Sequence, residues 1–172
     1  MSDPSAQRVV VVLDNIRSLY NTGSILRTAD AAGVERVVLC GITPRPDQGS
    51  RQRRAIAKTA LGAEDSVAWE YQADAAGALR ALAAAGYQLA AVETDLDAVN
   101  VFEWTPRWPV CLVFGHEVDG VRPEIAALCD THVRIPMLGI KHSLNVATAA
   151  GVVIYELLRK YRELGRGTMK RA

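Results

Sequence analysis

The chain has 172 residues, of which 49% are hydrophobic and 23% charged. That apolar content excludes a disordered polypeptide and is enough for one domain with its own core. Twenty Lys and Arg against nineteen Asp and Glu leave a net charge of +1, which excludes a globally basic nucleic-acid binder and leaves only local patches open.

Val9 to Leu13 is a short, β-branched, wholly apolar run, the pattern of a strand buried on both faces. Asn21 to Gly33 is predicted to be a helix: Asn21 is a good N-cap, Ile25, Leu26, Ala29 and Ala32 form a stripe, and Gly33 is a stop. Arg36 to Cys40 is a second buried strand, so this stretch is a βαβ unit with parallel strands and a right-handed crossover. Thr43 to Lys58 starts as a polar loop and turns helical, and Ser66 to Trp69 is expected to be a short strand.

Asp74 to Gly86 is an Ala/Leu helix, Gln88 to Glu93 a strand, Asp95 to Pro109 irregular, and Val110 to Phe114 another apolar strand. A short helix is expected at Glu124 to Cys129, a strand at His132 to Ile135, and the longest helix at Ser143 to Glu163. The alternation predicts an α/β domain over residues 1–172, with helices on both faces of a mainly parallel sheet. The core is expected at about 8–160, with a basic tail at 161–172.

Cys40, Cys111 and Cys129 are widely spaced, with no CxxC and no Cys/His ladder, so no structural metal is expected. Cys40 and Cys111 lie in strand-like runs and are read as buried thiols, which suits the cytoplasm. No secretion signal is expected, and no apolar run is long enough for a membrane span.

Charge is unevenly placed. Arg45, Arg51, Arg53, Arg54 and Lys58 face a single acid, Asp47, within one stretch. Arg159 to Ala172 carries six basic residues and one acid. Both stretches could contact phosphate, although on composition alone they read first as a solvated loop and a solvated tail.

Ligands of open parallel sheets bind at the carboxyl ends of the strands. The loops there are Asp14 to Arg27, Glu93 to Asp97, Gly115 to Pro123 and Ile135 to Asn145. In the first, Arg27 lies off the apolar stripe and is expected to project outward. In the third, Gly115 and Gly120 bracket Glu117 and would let backbone approach a ligand closely. In the last, Ser143 is expected to cap the final helix with Asn145 in its first turn. Pro136 and Gly139 would leave free backbone groups suited to an adenine or a carboxylate. GxGxxG and GxSxG are absent, and Val121 and Arg122 stand where a P-loop needs Lys and Ser/Thr. The usual nicotinamide and ATP enzymes are thereby disfavoured.

Taken together, NTGSILRTADAAG (Asn21 to Gly33), VFGHEVDGVRPEI (Val113 to Ile125) and IPMLGIKHSLNVATAAGVVIYE (Ile135 to Glu156) resemble, in order and spacing, three motifs of one family. That family is the TrmH/SpoU group of the SPOUT RNA ribose 2′-O-methyltransferases. The resemblance implies a C-terminal deep trefoil knot, a homodimer with the site at the subunit interface, and S-adenosylmethionine as cofactor. It assigns cofactor contacts to the Glu93–Thr94 loop, Gly115, Ile135, Met137, Ser143 and Leu144, and catalysis to Arg27, with Asn21, Glu117, Ser143 and Asn145 shaping the site. Arg27 would serve either as a base made competent by an RNA phosphate or as an anchor for that phosphate and the developing alkoxide. The second role fits a guanidinium that is ordinarily always charged.

The motifs begin by Asp14, so a minimal form is expected, gripping tRNA or rRNA through Arg27, Arg51, Arg53, Arg54, Lys58 and the basic tail. A non-catalytic RNA-binding or ribosome-assembly module on the same scaffold is the alternative, followed by methylation of a base.

Overall fold

The computed structural model describes residues 7–165. Seven parallel strands form one sheet: β1 (Gln7–Asp14), β2 (Val34–Cys40), β3 (Trp69–Gln72), β4 (Gln88–Val92), β5 (Val99–Asn100), β6 (Val110–Phe114) and β7 (Thr131–Arg134). Their order across the sheet is β3-β2-β1-β6-β4-β7-β5. The chain walks outward from β1 to β3, then crosses to the far side of β6. The order therefore reverses beside β1 and β6, where open α/β sheets leave a crevice at their carboxyl edge.

β1 and β6 are central, and Val9 to Leu13 and Val110 to Phe114 are all buried. That is why both read as unbroken apolar runs rather than as alternating ones. Their side chains part to two cores by the strand's two-residue period. Val9, Val11 and Leu13 pack under α1 (Leu19–Ala32), α2 (Ser50–Ala60), α3 (Ala63–Ser66) and α6 (Val146–Gly165). Val10 and Val12 pack under α4 (Ala75–Ala84) and α5 (Pro123–Ala126). Helices thus cover both faces, as the alternation predicts. Cys40 and Cys111 are buried free thiols, and burial is the main reason Cys40 is pushed up to about 12.

Several local expectations shift. Ser66 to Trp69 is not a strand: α3 ends at Ser66 and β3 begins at Trp69. The stretch Asp95 to Pro109 contains β5, which pairs Val99 with Val133 at the sheet edge. The helix placed at Glu124 to Cys129 spans Pro123–Ala126, with proline in its first turn, where its missing N–H costs nothing. The first helix is capped by Ser18, not Asn21: Ser18 Oγ accepts from Asn21 N at 3.1 Å. The last is capped by Asn145, not Ser143: Asn145 Oδ1 accepts from Ala147 N at 2.9 Å and Thr148 N at 3.3 Å.

The start of the C-terminal basic stretch is held within the fold. Arg159 pairs with Glu156 and Glu163. Lys160 Nζ donates to the carbonyls of Val101, at 2.6 Å, and Trp104, tying α6 to the segment after β5. Most of the tail expected at 161–172, residues 166–172, lies outside the described residues.

Candidate active site

A cavity of about 330 Å³ opens at the carboxyl ends of β6, β4 and β7, three neighbours in the sheet. Thr94, Gly115, Ile135, Met137, Ser143 and Leu144 all line it. These six positions come from three separate loops, and the parallel sheet gathers them because every one of those loops leaves from the same edge. The volume falls within the ordinary range for small-molecule sites of roughly 300–1,000 Å³. Glu93 also lines the cavity, and its Oε2 lies 3.6 Å from where a Cβ on Gly120 would sit. Burial pushes its carboxyl above the usual range and Asp95 adds to this, against the opposing pull of His132.

The Gly115–Gly120 loop closes on itself. His116 and Gly120 exchange backbone hydrogen bonds of 3.1 and 2.9 Å, and His116 Nδ1 accepts from Val118 N and Asp119 N at 3.2 Å each. A Cβ on Gly115 would come within 2.3 Å of the Gly120 carbonyl. The glycine expected to admit a ligand is therefore already required by the chain's own backbone.

From this loop Glu117 reaches the start of α1. Its carboxylate accepts from Arg17 N at 2.9 Å, Ser18 N at 3.0 Å and Asn21 Nδ2 at 3.2 Å. Burial pushes the Glu117 carboxyl up, but these hydrogen bonds outweigh it and hold the group below its ordinary value. Asn145 Nδ2 in turn donates to Asn21 Oδ1 at 3.1 Å. Asn21, Glu117 and Asn145, one from each motif, thus form a single chain of hydrogen bonds, and Glu117 also lines the cavity. The network explains the cap. Glu117 already satisfies the donors just before the helix, so Ser18 caps it and the Asn21 side chain is held between Glu117 and Asn145.

Arg27 stands apart from this group. It is exposed on α1, makes no hydrogen bond or ion pair among the described residues, and does not line the cavity. Ser143 lines the cavity without joining the network. The other basic positions divide. Arg51, Arg54 and Lys58, at i, i+3 and i+7 of α2, line a groove of about 870 Å³ together with Leu19 and Tyr20 of α1. Arg53 is on another face of the helix, paired with Asp65 at 2.5 Å. Arg45 pairs with Asp47 at 3.0 Å and lies 4.2 Å over the Tyr71 ring.

Two site-supporting groups escape a sequence reading. Asp14, at the end of β1, is fully buried and receives a two-pronged contact from Arg122: Nε to Oδ2 at 2.9 Å and Nη2 to Oδ1 at 3.0 Å. This clamps the Gly115–Arg122 loop to the first strand. The buried Thr43 hydroxyl donates to Leu13 O at 2.9 Å and accepts from Ile16 N at 3.1 Å, fixing the turn that leads into α1. Neither pairing can be read from local sequence, because Arg122 lies 108 positions from Asp14, and Leu13 and Ile16 lie 30 and 27 positions from Thr43.

Comparison with known proteins follows the same outline. The Escherichia coli (strain K12) tRNA (guanosine(18)-2′-O)-methyltransferase is 32% identical over 157 residues, covering 91% of this chain and 66% of that protein. The A. aeolicus TrmH/SpoU tRNA modifying enzyme superposes with a TM-score of 0.81 at 30% identity, covering 94% of this chain and 79% of that one. The SpoU methyltransferase AviRb from Streptomyces viridochromogenes, in complex with the cofactor AdoMet, superposes at 0.76 with 29% identity, covering 91% and 58%. The chain spans 60–66% of the length of three curated relatives it matches. The model of the SpoU rRNA Methylase family matches residues 8–155. With three motifs joined at one sheet edge and a family match over most of its length, the chain belongs to the SpoU rRNA Methylase family.

Proposed function

We propose that the chain is an S-adenosylmethionine-dependent methyltransferase acting on a ribose 2′-hydroxyl of tRNA or rRNA. The observation that carries this reading is the cavity at the ends of β6, β4 and β7. Its lining contains all six positions that the motifs assign to the cofactor. The cavity suits the cofactor in charge as well, since Glu93 contributes a partly desolvated carboxylate and the cofactor is cationic. When bound, S-adenosylmethionine supplies an electrophilic methyl group on sulfur.

The chain's own residues then have separable tasks. Glu117 fixes the first turn of α1 through backbone donors, and Asn145 holds the Asn21 amide from the other side. Asn21 is thereby oriented and available to position the ribose or its phosphate. Arg27 supplies permanent positive charge for the phosphate and for the oxygen that develops charge as its proton leaves. Arg51, Arg54 and Lys58 grip the RNA backbone.

The site is completed by a second copy of the chain. Two observations support this: Arg27 does not line its own cavity, and apolar side chains stand exposed at the cavity, Val118 in its lining and Leu138 and Ile140 in the stretch between the lining residues Met137 and His142. The same reading takes residues 1–172 as one catalytic unit in the cytoplasm, with the knotted C-terminal path of the SPOUT fold.

The test is methyl transfer from labelled cofactor into bulk tRNA and, separately, unmodified rRNA, followed by digestion and nucleoside mass spectrometry. A 2′-O-methylnucleoside in one pool is expected and names the substrate. A methylated base would overturn ribose as the target. Neither product nor cofactor binding would return the chain to a non-catalytic RNA-binding role.

A further inference from the structure

The groove beside α2 carries more than the positive charge assigned to it above. Arg51, Arg54 and Lys58 lie on one face of that helix, and none of the three has an ion pair or side-chain hydrogen bond among the described residues. No acidic side chain lines the groove. Facing them across it is Tyr20, with half its surface (51%) exposed. Its backbone is pinned, since Thr59 Oγ1 donates to the Tyr20 carbonyl at 2.8 Å. Its hydroxyl makes no hydrogen bond among the described residues. An aromatic ring is thus presented to solvent from a fixed point of the backbone, inside a groove of unpaired cations.

The position of that ring relates the groove to the active site. Tyr20 precedes Asn21, whose amide joins Glu117 and Asn145. Tyr20 and Arg27 are seven residues apart on α1, hence on nearly the same helix face and roughly 10 Å apart along the axis. A strand whose phosphates follow Arg51, Arg54 and Lys58 therefore passes the ring on its way to Asn21 and Arg27. A free phosphate would make no use of the ring. A double helix offers it no base face, because its bases are already stacked. A single-stranded segment uses both features: its backbone meets the cations and its unpaired base meets the ring.

We propose that Tyr20 is a stacking platform for an unpaired base next to the target ribose, so that the groove selects a loop or single strand of RNA over a duplex. This rests on the ribose-methylation reading for the identity of the neighbouring site, while the stacking itself can be read without any methyl transfer.

The experiment uses the full chain and two RNA probes, a hairpin with 2-aminopurine in its unpaired loop and a duplex with the same nucleotide paired. The unaltered chain is expected to quench the loop probe. Tyr20→Ala is expected to abolish the quench and weaken loop binding roughly tenfold, with duplex binding unchanged. Tyr20→Leu keeps apolar bulk without a π-face and is expected to behave like Ala, while Tyr20→Phe recovers most of the loss. Replacing Arg54 and Lys58 together by Gln is expected to lower the slope of log affinity against log salt by about 1.4, the loss of two single-strand phosphate contacts.

Undiminished quenching by Tyr20→Ala would overturn the proposal. So would full recovery by Tyr20→Leu, equal loss for loop and duplex, or a change in molar mass that made the ring a contact between copies of the chain. If the unaltered chain quenches the loop probe, depends on Tyr20 for it, and yet transfers no methyl group, the stacking platform stands and the ribose-methylation reading falls.

Discussion

At Glu117 one carboxylate receives two backbone N–H groups and an amide from the start of α1, 96 to 100 positions earlier in the chain. Replacing it by Gln removes the charge while keeping the shape, and methyl transfer is expected to fall more than tenfold with the cofactor still bound. The sign of its pH dependence follows from the lowered titration. A group held below its ordinary value near ~4.3 adds stability that is present above that pH and lost as pH falls through the lowered value. The difference in melting temperature between the unaltered chain and Glu117→Gln should therefore be constant near neutrality and shrink below about pH 4. Glu93 runs the other way. Burial raises it, so a cation bound beside it must keep it ionised against that tendency. Cofactor affinity, read by calorimetry, is expected to weaken as pH falls into the region just above the ordinary carboxylate range, and Glu93→Gln should remove that dependence.

Contacts between elements set where the site residues stand. Gly23 lies at the crossing of α1 and α2, and a Cβ there would sit 2.3 Å from the Ile56 carbonyl and 2.2 Å from Thr59 Oγ1. Neither helix can absorb a backbone clash of that size in place. Gly23→Ala is expected to push the two helices apart, lowering the melting temperature and weakening RNA binding before it affects cofactor binding. Lys160 performs a similar service for α6, since its ammonium is the donor for the Val101 and Trp104 carbonyls. Lys160→Met leaves both without it and is expected to cost about 1–3 kcal/mol in denaturant unfolding. A basic run in sequence is thus divided by the fold into groups that hold the molecule together and groups left for a ligand.

On the scale of the whole molecule, the cavity and Arg27 are separate features of one copy. If a second copy supplies the arginine, two inactive variants should rescue each other. Arg27→Ala keeps its cavity, and Met137→Glu keeps its arginine while placing a charge in the cavity lining. Mixed and re-equilibrated, they are expected to recover about a quarter of the unaltered activity, because half of the pairs are mixed and each mixed pair has one intact site. No recovery, with mixed pairs demonstrated by mass, would place Arg27 and the cavity it serves on the same copy.

The buried strands, their parallel pairing and the three loops that line the cavity were legible in the residues alone. Unbroken apolar runs at Val9 and Val110 admit few other fates, and strand–helix–strand spacing dictates parallel pairing. The cavity lining was legible through motif resemblance, and the parallel sheet brings those positions together because all their loops leave from one edge. Local signals were insufficient where two good candidates compete. Ser18 and Asn21 are both good caps, and the contact from Glu117 decides between them. Ser143 and Asn145 compete in the same way at the last helix. The Asp14–Arg122 clamp, the inward turn of Lys160 and the diversion of Arg53 to Asp65 were decided by tertiary structure alone. Charge in a sequence is a count, and its use depends on which opposite charge or carbonyl the fold brings within hydrogen-bonding distance.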